Sequence, residues 1–198
     1  MAAQIFSDWR SIPKEARGAT VALGNFDGVH LGHVAVLKAA QAARPDLPLA
    51  VLTFEPHPRE HFRPDDPPFR LTLLPAKAAC LADAGARFVY ALRFDDDFAA
   101  LSAEAFVDQV LHKGLGAKHL ASGPDFAFGN RRGGDVRFLA REAASRGMGL
   151  SIVPPVEQGG GGDFLHPHPP AVAGWVSGSR GGKARPAMGN PRHGGAWG

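Results

Sequence analysis

Five short, nearly continuous apolar runs, at 20–23, 49–54, 88–94, 119–122 and 150–153, alternate with longer stretches whose apolar residues recur at helical spacing. Few folds accept that alternation. A run without a polar residue at every second position belongs to a strand covered on both faces, and strand, helix, strand repeats build a parallel sheet flanked by helices. The helical stretches are 32–43, with Val34, Leu37 and Ala40 on one stripe; 75–84, opening at Pro75; a segment starting at Ser102, with Glu104 in its first turn ahead of Phe106, Val107 and Val110; and 135–146, with the stripe Val136, Leu139, Ala140 and Ala143. The single cysteine, Cys80, lies in the apolar context AKAACLADA and is expected on a packed helix face. The expected architecture is α/β, a doubly wound parallel sheet of about five strands. In such sheets ligands bind beyond the carboxyl ends of the strands, so the turns after each strand are where chemistry is to be sought.

The 198 residues suffice for one such domain and an appendage. From Gly159 onward lie 12 of the 25 glycines and 5 of the 17 prolines. Such a segment buries too little apolar surface to offset the entropy of ordering it, so 1–158 is expected to form the domain and 159–198 a disordered tail. The net charge of +3 belongs to the tail, because residues 1–158 carry 18 basic and 18 acidic side chains. A charge-neutral domain without a basic stripe argues against a nucleic-acid partner. No apolar run approaches the ~20 residues that span a bilayer, and the N-terminus lacks the basic-then-apolar pattern of a signal peptide. The expectation is a cytoplasmic protein without a membrane partner.

The turn after the first apolar run reads GNFDGVHLGH, residues 24–33. Gly24, Gly28 and Gly32 let the backbone turn sharply and approach a ligand, and a helix starting near Leu31 aims unpaired N–H groups and a positive dipole end at it. That combination is an anion pocket. His30 and His33, three apart at the helix start, can face one side and donate to a phosphate whose charge grows in a transition state. A zinc-peptidase helix would need His-Glu-x-x-His, and neither the spacing nor the glutamate is present, so no direct protein ligand to a metal is assigned. The phosphate-binding Gly-x-x-x-x-Gly-Lys-Ser/Thr and dinucleotide Gly-x-Gly-x-x-Gly patterns are absent too.

Two further segments follow strands. In TFEPHPREHF, residues 53–62, Pro56 and Pro58 are expected to hold an extended backbone, with His57 and Phe62 lining a flat aromatic pocket. In GPDFAFGNRRGG, residues 123–134, Asp125, Phe126 and Phe128 are expected at the sheet edge that carries the histidines, with Arg131 and Arg132 available to phosphate. Ordinary core packing is the competing reading of both aromatic sets.

These three segments, in this order, resemble the bacterial FAD synthetase family, the bifunctional riboflavin kinases/FMN adenylyltransferases, within the superfamily that carries His-x-Gly-His. The resemblance spans residues 20 to about 158. It implies a Rossmann-like nucleotidylyltransferase fold and adenylyl transfer from ATP to FMN, giving FAD and pyrophosphate with Mg²⁺ accompanying ATP. By resemblance, His30, His33 and Asn25 act in the transfer step, while Gly24, Phe26, Asp27, Gly28, Gly32 and Arg131 hold the ATP phosphates, Asp27 by ordering the turn. Pro56, His57, Pro58, Phe62, Asp125, Phe126 and Phe128 are then expected on the flavin side. An inactive flavin- or nucleotide-binding module and a nucleotidylyltransferase with another phosphate acceptor are the alternatives.

The family pattern continues beyond the last strand with a segment like Ile-Ser-Ser-Thr-x-Ile-Arg and a riboflavin kinase domain. Here Leu165-His166-Pro167-His168-Pro169 follows instead. The codons TCC TCC ACC CGC ATC CGC, for Ser-Ser-Thr-Arg-Ile-Arg, give Leu-His-Pro-His-Pro when read from the last base of the first codon. The tail is therefore expected to be an out-of-frame translation, with the kinase domain missing and the transfer activity impaired.

Overall fold

The structure, a computed structural model, describes residues 2–156. The expectations for 159–198 lie outside the described residues. Six parallel strands form one sheet in the order β1-β4-β3-β2-β5-β6. They are β1 (Gln4–Phe6), β2 (Thr20–Leu23), β3 (Leu49–Glu55), β4 (Phe88–Arg93), β5 (His119–Ser122) and β6 (Gly149–Ile152). Five match the apolar runs to within a residue or two at their ends. The sixth, β1, is a three-residue edge strand, largely exposed and paired to β4 from Gln4↔Phe88 to Phe6↔Tyr90. It is too short and too solvated to leave a periodic trace.

Successive strand residues point to opposite faces and build two apolar layers. On one face Val51, Val89 and Ala121 pack with Leu37 and Ala40 of helix α1 (Leu31–Ala43) and Leu81 of α3 (Leu74–Asp83). On the other, Leu52, Tyr90 and Leu120 pack with Val107, Val110, Leu139 and Ala143. These come from α5 (Ala103–Ala105), which runs on into a π-helix at Phe106–Gly114, and from α6 (Val136–Ser145). The expected cap at Ser102 forms, its Oγ accepting from Ala105 N at 3.0 Å, and Asp135 Oδ1 also caps α6, accepting from Phe138 N at 2.8 Å.

Three local expectations need correction. Residues 58–62 are not extended but form a short helix, α2 (Pro58–Phe62), because Pro58 suits a first helical position and His57 Nδ1 accepts from Arg59 N at 3.0 Å. Cys80 is exposed, because α3 turns Lys77, Ala78 and Leu81 toward the sheet and leaves position 80 on its outer side. Ala140, placed on the buried stripe of α6, is exposed as well. A further short helix, α4 (Asp96–Ala99), is capped by Asp95. Among the described residues no helix is long and apolar enough to cross a membrane.

Candidate active site at the switch point of the sheet

The chain leaves β2 toward β3 on one side, whereas β5 and β6 add on the other, so a crevice opens beyond the carboxyl ends of β2 and β5. The glycine-rich turn occupies it. Phe26, Gly28 and Val29 adopt left-handed backbone conformations with φ of 50°, 70° and 38°, and α1 begins at Leu31 without a side-chain cap. Its first N–H groups thus remain available to an anion. The His30 and His33 rings stack with centroids 3.7 Å apart, and Phe26 lies 4.9 Å from His33. The three-residue spacing does bring both imidazoles to one side.

A cavity of about 290 Å³ opens above this turn, lined by Gly24, Asn25, Phe26, His30, Gly32, His33, Phe54, Asp125, Phe126, Pro154 and Pro155 among others. Burial, with the neighbouring His30 and the charge of Lys77 adding to it against Asp27, pushes the His33 pKa down to about 3, and burial lowers that of His30. Near neutral pH both rings are uncharged and offer N–H groups rather than cations. His33 Nδ1 is buried and has no hydrogen-bond partner.

A second cavity of about 290 Å³ adjoins the first, walled by Phe54, Phe62, Phe94, Phe98, Phe106 and Phe128 and edged by Asn130, Arg131 and Arg132. Phe54 lines both cavities. Phe126 on one side and Phe128 on the other stack at 5.4 Å and complete the partition.

The sequence-derived candidates therefore divide. Gly24, Asn25, Phe26, His30, Gly32 and His33 meet in the histidine cavity, and Asp125 and Phe126 join them there rather than on the aromatic side. Phe62, Phe128 and Arg131 line the aromatic cavity, so Arg131 stands apart from the histidines. Pro56, His57 and Pro58 line neither: Pro56 is exposed, Pro58 is buried, and His57 caps α2 and packs edge-on against Phe69 at 4.9 Å. Asp27 and Gly28 shape the turn without reaching the cavity lining. Asp27 acts on a distant segment, since its carboxylate accepts from Leu71 N and Thr72 N at 2.9 Å each and from Thr72 Oγ1 at 2.9 Å. Burial opposes ionisation there, but these hydrogen bonds outweigh it and hold the carboxyl below its ordinary value.

Sequence reasoning missed the support beneath the turn. Thr53 Oγ1 donates to Asn25 O at 2.9 Å, and Lys77, only 1% exposed, sets its Nζ 3.3 Å from Glu55 Oε1. Arg70 pairs with Glu55 and Glu60. It also missed Phe54, Phe94, Phe98 and Phe106 as cavity walls. Phe54 ends a predicted run and Phe94 closes another, so their place at strand ends was a usable signal.

The family model of FAD synthetase matches residues 12–162. The chain is 41% identical over 145 residues to the bifunctional riboflavin kinase/FMN adenylyltransferase of Escherichia coli strain K12, covering 72% of this chain and 46% of that protein. It is 39% identical over 159 residues to the protein of that name from Pseudomonas fluorescens, covering 79% and 51%. The chain spans about half the length of the curated relatives it matches. A Streptococcus pneumoniae crystal structure described as a macrolide-efflux protein superposes with a TM-score of 0.67 and 26% identity, over 80% of this chain and 51% of that one.

Proposed function

Because the chain belongs to the FAD synthetase family, we propose that its domain, residues 1–158, is an FMN adenylyltransferase, joining the adenylyl group of ATP to the phosphate of FMN with release of pyrophosphate. The observation that carries this reading is the pair of adjoining cavities. One offers neutral imidazoles and an uncapped helix N-terminus, as a polyphosphate requires; the other offers six phenylalanines with two arginines at its edge, as a planar aromatic anion requires. Ligands seated in the two would meet at the partition of Phe54, Phe126 and Phe128.

In this reaction an oxygen of the FMN phosphate attacks the α-phosphorus of ATP in line, the α–β bridging bond breaks, and pyrophosphate carries the electron pair away. The chain's residues position the reactants and stabilise charge, and no covalent enzyme intermediate is needed. His30 and His33 donate N–H bonds to the phosphates, joined by the N–H groups that open α1. Asn25, held by Thr53 through its carbonyl, lines the same cavity, and its side-chain amide would add a donor there. Mg²⁺ accompanying ATP would withdraw charge from the phosphates. Among the described residues no group of three or more His, Cys, Asp or Glu is placed to hold an ion.

The test is to supply the purified chain with FMN, ATP and Mg²⁺ and to follow FAD and pyrophosphate beside a His30→Ala control. FAD formation abolished by the control supports the reading. A folded wild-type chain that binds ATP yet forms no FAD refutes it and leaves a binding module.

A further inference from the structure

The turn beneath the histidines is strained, and something outside it must hold it. Val29 is β-branched and sits at φ 38°, with Phe26 also left-handed, a path that persists only where surroundings over-determine it. The outside support converges on one hydroxyl. Thr72 Oγ1 donates to Asp27 Oδ1 at 2.9 Å and accepts from Gly28 N at 3.2 Å, while Thr72 N donates to the same carboxylate. Leu71 N adds a further bond to Asp27.

This contact contributes little to burial. Leu71 and Leu73, on either side of Thr72, are 61% and 70% exposed. What fixes the segment is polar: Arg70, immediately before it, is ion-paired to Glu55 at the end of β3 and to Glu60 on α2. Helix α2 also carries Phe62, a wall of the aromatic cavity. Three consecutive residues thus tie the phosphate turn on one side to the flavin-side helix on the other.

We propose that Thr72 is a positioning residue for adenylyl transfer, its hydroxyl holding the Asp27–Val29 turn in the path that presents His30, His33 and the start of α1 to the phosphates, with Arg70 as its anchor. The transfer step in this proposal rests on the function inferred above. The hold on the turn does not, and the two can be read separately.

The experiment uses the full chain with Thr72→Val, which keeps the shape and removes the hydroxyl, and Thr72→Ser, which keeps the hydroxyl. Amide hydrogen exchange across 24–34 is compared with that across β3, alongside steady-state FAD formation. In Thr72→Val, exchange across 24–34 should quicken about tenfold with β3 unchanged, and kcat/KM for ATP should fall about tenfold or more, the scale of the hydroxyl's two lost hydrogen bonds acting on geometry. The KM for FMN should stay within about twofold, and Thr72→Ser should restore both readouts, because only the hydroxyl's two bonds were removed. Unchanged exchange across 24–34 overturns the proposal. So does faster exchange with undiminished FAD formation, or a Ser variant as impaired as the Val variant. A wild-type chain that forms no FAD defeats the functional reading alone, and exchange then decides whether Thr72 holds the turn.

Discussion

Replacing His33 by alanine separates two ways in which an imidazole can stabilise phosphate charge. With its pKa pushed down to about 3, the ring is protonated in about one molecule in 10⁴ at pH 7, so a cationic role would require about 5 kcal/mol of protonation free energy from the substrates. A neutral N–H donor needs none of this. Loss of one such donor from a preorganised site costs about 2.7–4 kcal/mol, or about 10²–10³ in kcat. The stack with His30 at 3.7 Å is lost too, so folding of the variant is checked by thermal melting. FAD formation is then measured for both proteins from pH 6 to pH 8 and expressed as the ratio of wild type to His33→Ala. Substrate phosphates titrate in this range, but they cancel in the ratio. The expected ratio is about 10²–10³ and level across the range. A ratio that declines about tenfold per pH unit above about 6.5 would show that the charged ring does the work and would refute the argument from burial.

Further outcomes follow from the same geometry. Gly134→Ala places a methyl group 2.6 Å from the Phe128 ring and 2.9 Å from Ala103 Cβ, both buried, so denaturant unfolding should show a loss of about 1–3 kcal/mol and FMN titration a weaker complex. Lys77→Met should cost less than the about 3–5 kcal/mol of an orphaned buried charge, because Glu55 keeps Arg70, whereas Glu55→Leu strands the Lys77 ammonium and should cost that full amount; the reverse order in urea midpoints would refute the pairing. Stability should fall as the solution is acidified below about pH 6.5, since between there and about pH 3 the unfolded chain binds a proton at His33 that the folded chain refuses. The depressed carboxyl of Asp27 acts in the same direction, its contribution present above about 3.8 and lost as pH falls through the folded value, and His33→Ala should flatten the upper part of the midpoint profile.

What was legible in the sequence was whatever depends on chain neighbours. Strands β2 and β5 stood out as short, nearly continuous apolar runs, and the cap at Ser102 because a cap bonds three residues along. The stacked histidines were legible from their three-residue spacing, although His30 precedes α1 in an extended conformation and only His33 lies on the helix. Pro56-x-Pro58 misled because an extended reading and a first helical turn share the same φ, and only the His57 cap decides between them. The aromatic cavity left no local signature, since Phe54, Phe62, Phe106 and Phe128 come from β3, α2, the π-helix and the 123–134 loop, and each resembles an ordinary core residue in its own stretch. That loop also explains the misplacement of Arg131. It runs along the partition, with Phe126 on the histidine side and Phe128 on the other, so residues beyond 128 belong to the aromatic cavity. Thr72 and Lys77 were invisible for a related reason: a threonine in a loop and a lysine in a helix gain their roles only from Asp27 and Glu55, 45 and 22 residues away. The residues that would touch phosphate were therefore the easiest to find, and those that hold them in place required the fold.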